Sequence, residues 1–261
     1  LEYLEWVSQF TIVNARELLV ASVVIVFAFT IFGMVGFGTA LVASPILALI
    51  IPIPKIIPML ALMDFVAAIF CFLKNRKNAN SSELKRLIPL MIVGSLFGAF
   101  FLLNLHSKIL ILLLSIFAIA YSIYSLFLPK SHLHFKSIVV IPFGFVGGIF
   151  SALFGSGGFL YAIYLNGRLT TKDSIRVTLS VLLSLSTLTR AIIFLAAGVY
   201  SDLLIPITAL ILLIPMGIGL YIGRHITFKM SPDHFKRLIN YVVLVSGIIL
   251  FIDFCISNRF W

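Results

Sequence analysis

Thirty-seven consecutive residues, Leu18–Pro54, carry no charged side chain. Uncharged runs recur at Leu87–Ser107, Ile109–Pro129, Ser137–Gly167, Leu203–Gly223 and Leu238–Ile252. Two more, Ile56–Leu73 and Val177–Ser201, are interrupted only by Asp64 and Arg190. A bilayer offers the backbone no water, so such runs must satisfy their own N–H and C=O groups, and runs of this length do so as helices. A helical span needs about 20 apolar residues, which predicts eight or more helical segments in an all-α polytopic membrane protein. With 61% hydrophobic and 11% charged residues and a mean hydropathy of +1.18, an ordinary soluble domain is excluded. The net charge of +10 would suggest nucleic acid in a soluble chain. Here the basic residues crowd into the connections between apolar runs, as the positive-inside rule requires, so the expected partner is the lipid bilayer and not nucleic acid.

Glycines interrupt two of these runs in the same way. Gly36-Phe-Gly38-Thr-Ala-Leu-Val-Ala-Ser-Pro45 finds a counterpart 119 residues later in Gly155-Ser-Gly157-Gly158-Phe-Leu. Behind each break Lys55-Ile-Ile-Pro58 corresponds to Lys172-Asp-Ser-Ile175, and Gly94-Ser-Leu-Phe-Gly98 to Gly219-Leu-Tyr-Ile-Gly223. The chain therefore divides into an N-terminal segment 1–16, a first repeat 17–130 and a second repeat 131–261, integrated in one membrane domain. Each repeat is expected to hold a broken or re-entrant helix pair followed by three transmembrane helices. Leu1–Arg16 contains Glu2 and Glu5 and no basic start, so no cleavable signal peptide is expected there.

The 19 Lys and Arg discriminate between two ways of threading the breaks. If each broken segment is a simple crossing, nine basic residues fall on either side, which the positive-inside rule disfavours. If each enters, turns at its glycines and leaves on the side it entered, the division becomes fourteen to four, with Arg190 inside the membrane. Ser137–Gly167 agrees: its 31 residues make roughly 46 Å of helix, short of two passes through a core of about 30 Å. This threading gives each half an odd number of crossings and makes the halves two inverted repeats.

An interrupted helix inside a membrane exposes backbone groups that need a partner, and a small anion is one. Gly36 and Gly38 in the first half, and Gly155, Gly157 and Gly158 in the second, permit the turns. The helices that resume after them, near Thr39–Ile51 and Phe159–Asn166, present free N–H groups and a positive dipole end. Thr39, Ser44 and Ser156 add hydroxyls. The competing reading is that these glycines only let helices pack closely.

Arg190 is the basic residue inside an apolar run, either a ligand for a sulfonate or carboxylate or a side chain snorkelling to the surface near Asp202. Asp64 is its acidic counterpart: a candidate for coupling transport to a proton, a partner for Arg190, or a hydrogen-bonded interfacial group. Ser180, Ser184 and Thr187 share a helix face by their spacing, so they either line a permeation path or bond across helices. His132-Leu-His134 lacks a third ligand, and Cys71 and Cys255 read as small core residues, so neither metal nor cofactor is expected.

The Gly-x-Gly turn, the apolar stretch ending in proline, the Pro-Lys or Lys-Asp helix start, the basic loop and the Gly-xxx-Gly helix all occur twice. In that order they resemble the sulfite exporter TauE/SafE family of membrane transporters, from about Leu18 to Phe251. Thr39 stands where that family usually has a further glycine, and Tyr164 occupies the place in the second half that matches Pro45. The resemblance implies export, or in some members uptake, of small sulfur-containing or organic anions across a bacterial plasma membrane.

The expected function is thus a multi-pass transporter of the bacterial inner membrane, an exporter, that holds a small anionic substrate at both breaks and alternates access, with a proton or sodium ion as candidate coupling ion. No nucleotide-binding Gly-xxxx-Gly-Lys-Ser/Thr motif occurs. An anion channel or uptake permease of the same fold is the alternative, ahead of an intramembrane enzyme or a scaffold subunit; no catalytic residue is assigned.

Overall fold

The computed structural model describes residues 11–12, 14–35, 38–75, 79–127, 135–225 and 232–257. Gly36, His132 and His134 lie outside the described residues, as does the side chain of Cys71. The chain is all-helical where it is described. The helices are α1 (Ala15–Val35), α2 (Thr39–Leu47), α3 (Ile53–Asn75), α4 (Ser81–Asn104) and α5 (Ser107–Phe127), then α6 (Val140–Phe154), α7 (Gly158–Arg168), α8 (Lys172–Ala196), α9 (Leu204–His225) and α10 (Pro232–Ser257). Six described helical segments are long and apolar enough to cross a membrane. The short helices α2 and α7 fall where glycines interrupt the apolar runs, and α2 is buried along nearly its whole length.

Polar anchors at the helix ends fix how the chain is threaded. At one end of the bundle Asn80 caps α4 by accepting the Glu83 N–H at 3.1 Å, and the Asn80 N–H donates to Thr178 at the start of α8 at 2.9 Å. At the same end Arg168 donates to Glu83 and Arg86 donates to Ser137. The backbone closes the loop between them, with the Phe135 N–H bonded to Gly167 O at 2.9 Å. The pair α6–α7 therefore returns to the end it started from. The opposite end holds Lys55 paired with Asp202 at 3.1 Å, and Ile12 N–H bonded to Thr208 of α9 at 3.0 Å. Both the entry to α1 and the start of α3 lie there, so α1–α2 also returns.

Packing joins the first five helices to the last five. The most extensive pairs are α4 with α6, α9 with α1, α10 with α5, and α3 with α8. The first two are close because of glycine. A Cβ on Gly94 would sit 2.1 Å from Phe145 O, and one on Gly223 would sit 2.2 Å from Thr30 O. Gly94→Leu is therefore expected to cost about 3 kcal/mol or more, since backbone cannot yield as a side chain can. A melting-temperature loss in detergent would record it, and an unchanged transition would refute the close approach.

The outer faces are apolar too: Val23, Phe100, Leu210 and Ile214 are exposed, as a lipid-facing surface requires. Cys255, expected in the core, is exposed on the outer side of α10. Its position in an apolar run did not reveal which face of the helix it occupies.

Candidate functional site

The two helix breaks meet in the middle of the bundle. Helix α1 ends at Val35 and α2 starts at Thr39, with Gly38 at φ 97° in the left-handed region. Helix α6 ends at Phe154 against Gly155 at φ 67°, whose N–H reaches back to Ser151 O at 2.9 Å. A Cβ on Gly155 would lie 2.3 Å from Ala40 Cβ and 2.9 Å from Arg190 Nη1. Backbone sign and space both demand glycine there. Gly155→Ala is expected to cost about 2 kcal/mol or more and to abolish any anion-dependent stabilisation. An alanine variant with wild-type melting and binding would contradict this.

A cavity begins at this meeting point. The two breaks contribute Gly38, Thr39, Gly155, Ser156 and Gly158 to its wall. Helix α3 adds Asp64 and Ala68, and α8 adds Ser180, Ser184 and Thr187; Phe32, Leu41, Phe159 and Leu183 complete it. The cavity offers about 50 Å³ to the centres of water-sized molecules, several times what one water needs. It extends along α3 and α8 toward the end that carries Glu83 and Arg168, for Ser180 is two residues from Thr178, which is anchored there.

Beside the cavity lies a buried ion pair. Arg190 is 2% exposed and Asp64 6%. Arg190 Nη2 donates to Asp64 Oδ2 at 3.1 Å, and Nη1 donates to Ser151 O at 2.8 Å. The other carboxylate oxygen of Asp64 accepts the Thr39 hydroxyl at 2.7 Å. The snorkelling alternative for Arg190 is thereby removed. The pair is also placed to favour both breaks: the cation sits at the C-terminal end of α6, and the carboxylate is bonded to the first residue of α2.

The remaining polar groups differ in what they have left to give. Ser184 donates to Ser180 O at 2.9 Å and faces Ala68 O across the seam at 3.3 Å. Ser180 donates to Arg176 O at 2.9 Å. Ser156 is 6% exposed, and its hydroxyl has no hydrogen-bond partner. Arg190 Nε is likewise unpartnered, although Arg190 does not line the cavity.

Two other sequence candidates stand apart from the cavity. Ser44 lies within α2 and donates back to Ala40 O, the usual fate of a serine inside a helix. Gly157 packs against α6: a Cβ there would meet Gly147 O at 2.1 Å. Its requirement for glycine is one of close approach. Among the described residues no cluster of three or more His, Cys, Asp or Glu could hold a metal ion.

Sequence reasoning passed over Glu83, which is 4% exposed and joins α4 to the end of α7. It accepts from Tyr164 Oη at 2.6 Å and from Arg168 Nη2 at 2.9 Å. The signal was present in Asn80-Ser-Ser-Glu83, an N-cap with an acid three residues on, and in Arg168 directly after an apolar run.

A sequence model described as sulfite exporter TauE/SafE matches residues 21–250. Comparison with curated proteins and with solved structures gives no match.

Proposed function

The chain belongs to the sulfite exporter TauE/SafE family, and on that basis we propose that it moves a small sulfur-containing or organic anion by alternating access. The observation that carries the reading is the meeting of the two helix breaks around a cavity whose wall includes Ser156, a residue with a buried hydroxyl that has no hydrogen-bond partner. The first amides of α2 and α7 have no carbonyl within their own helices, and both helix starts line the cavity. Their dipole ends favour a negative charge between them. Gly38, Thr39 and Gly158 with the Ser156 hydroxyl would hold the anion, Gly155 shaping the turn and Thr187 completing the wall.

The halves are read as inverted repeats. Corresponding helices oppose each other in polarity: along α3 and α8 the contacts run from Lys55–Asp202 through Pro58–Tyr200 and Asp64–Arg190 to Ala68–Ser184. Along α5 and α10, Asn240 reaches Ser125 while Gly247 faces Ala118. Two copies related by an axis normal to the membrane would instead place equivalent helices parallel. By the bias of Lys and Arg the Glu83–Arg168 end is read as cytoplasmic, and the membrane is read as a bacterial plasma membrane.

Access would then be from the cytoplasmic end, toward which the cavity extends. At the other end the α3–α8 seam is closed by Tyr200 Oη donating to Pro58 O at 3.2 Å and by the Lys55–Asp202 pair. Rocking one half against the other would part this seam and close the cytoplasmic side. Asp64 remains the candidate for carrying a coupling proton.

Flux of radiolabelled sulfite, sulfate, taurine and sulfoacetate through proteoliposomes at opposed pH gradients tests the reading. Saturable flux of at least one anion above protein-free liposomes is expected. Background flux for all of them would overturn it.

A further inference from the structure

We propose that Asp64 sets the charge of the accepted substrate, restricting the site to monoanions by neutralising Arg190; this rests on the transport reading above. Among the described residues that line the cavity, Asp64 is the only Asp, Glu, Lys, Arg or His. Both of its oxygens accept hydrogen bonds, one from Thr39 and one from Arg190, so the geometry is that of a carboxylate paired with a guanidinium. The pair sums to zero. Beyond that pair a substrate meets only partial charges, the starts of α2 and α7 being offset by the ends of α1 and α6 at the same breaks.

A site of partial charges, with no lysine or arginine among the described residues of its wall, accommodates one negative charge better than two. A dianion of the same size would be held in a low-dielectric enclosure with its extra charge unpaired, which is costly. The rest of the wall agrees with a small head bearing an apolar group. Ser156 has an unpartnered hydroxyl, and Phe32, Leu41, Phe159 and Leu183 make much of the wall apolar. The ligand class that fits is an oxyanion of single charge: hydrogensulfite, an alkylsulfonate or a small carboxylate.

Methanesulfonate and sulfate separate charge from size, because one replaces a charged oxygen of the other by a methyl group. Methanesulfonate is expected to raise the melting temperature of the purified protein and to compete with sulfite flux. Sulfate should do both at least about tenfold more weakly. Sulfite flux should fall as pH rises through the ionisation of hydrogensulfite, while methanesulfonate flux, which has no proton to lose, stays level.

Asp64→Asn leaves Arg190 uncompensated and is expected to shift preference toward sulfate. Ser156→Ala should weaken methanesulfonate several-fold without lowering the melting temperature of the free protein, since no existing hydrogen bond is lost. Equal binding of sulfate and methanesulfonate by the wild-type protein, or an unchanged preference in folded Asp64→Asn, would overturn the proposal while leaving anion transport intact. Should no anion of either charge stabilise or cross, the transport reading falls and this inference with it. If Asp64→Asn does not fold, the wild-type comparison decides alone.

Discussion

Arg190→Gln is expected to lower stability by about 3–5 kcal/mol, because it strands the Asp64 carboxylate in the interior. The same substitution removes the donor to Ser151 O, so the end of α6 loses a partner as well. Asp64→Asn should cost a comparable amount, because asparagine offers one acceptor oxygen in place of two, so Thr39 or Arg190 meets an amide N–H, and the buried Arg190 charge loses its counter-ion. The double variant Asp64→Asn/Arg190→Gln should recover much of the loss, since neither charge is then buried alone. Chemical or thermal unfolding of the four proteins gives the coupling directly. Single variants that melt like the wild type, or a double variant whose loss is the sum of the two, would place the pair outside the core of the fold.

Bridging the far end of the α3–α8 seam should stop transport without stopping binding. In a protein freed of its native thiols by Cys71→Ser and Cys255→Ser, Lys55→Cys and Asp202→Cys put two thiols where the ion pair stood. A short bifunctional thiol reagent then ties the positions together. The cavity extends toward the opposite end, so an anion should still raise the melting temperature of the bridged protein. Flux should fall to less than about a tenth, because the seam must part for access to alternate, and cleavage of the bridge should restore it. Bridged protein that transports at the unbridged rate would remove the seam as a gate.

Much of the helix order was legible because charge-free runs and glycines are properties of single segments. The breaks at Gly38 and Gly155–Gly157 appeared where glycines interrupt an apolar run, and the return of α6–α7 followed from its length and from which end gathers Lys and Arg. What lies between segments was harder to read. Asp64 and Arg190 are separated by 126 positions, and a pattern of hydrophobicity reports neither the depth nor the rotation of one helix against another. Pairing with Arg190 was one of three readings open for Asp64, and choosing it needs α3 and α8 to run antiparallel in one particular register. The same ignorance of rotation hid the outward position of Cys255. Gly155 and Gly157 looked equivalent in sequence, yet one needs its left-handed backbone and the other needs the space against Gly147. Ser44 shows a rule that was available and outweighed by its neighbourhood: inside a helix a serine tends to bond its own backbone.

The membrane character, the helices and the family rest on independent observations, whereas the anion site rests on the convergence of α2 and α7. A density map of the protein prepared in methanesulfonate tests that convergence most directly. Density for the headgroup is expected between Gly38–Thr39 and Ser156–Gly158, within hydrogen-bonding distance of the Ser156 hydroxyl. An anion bound elsewhere with this cavity empty, or continuous helices running through Gly38 and Gly155, would contradict the account.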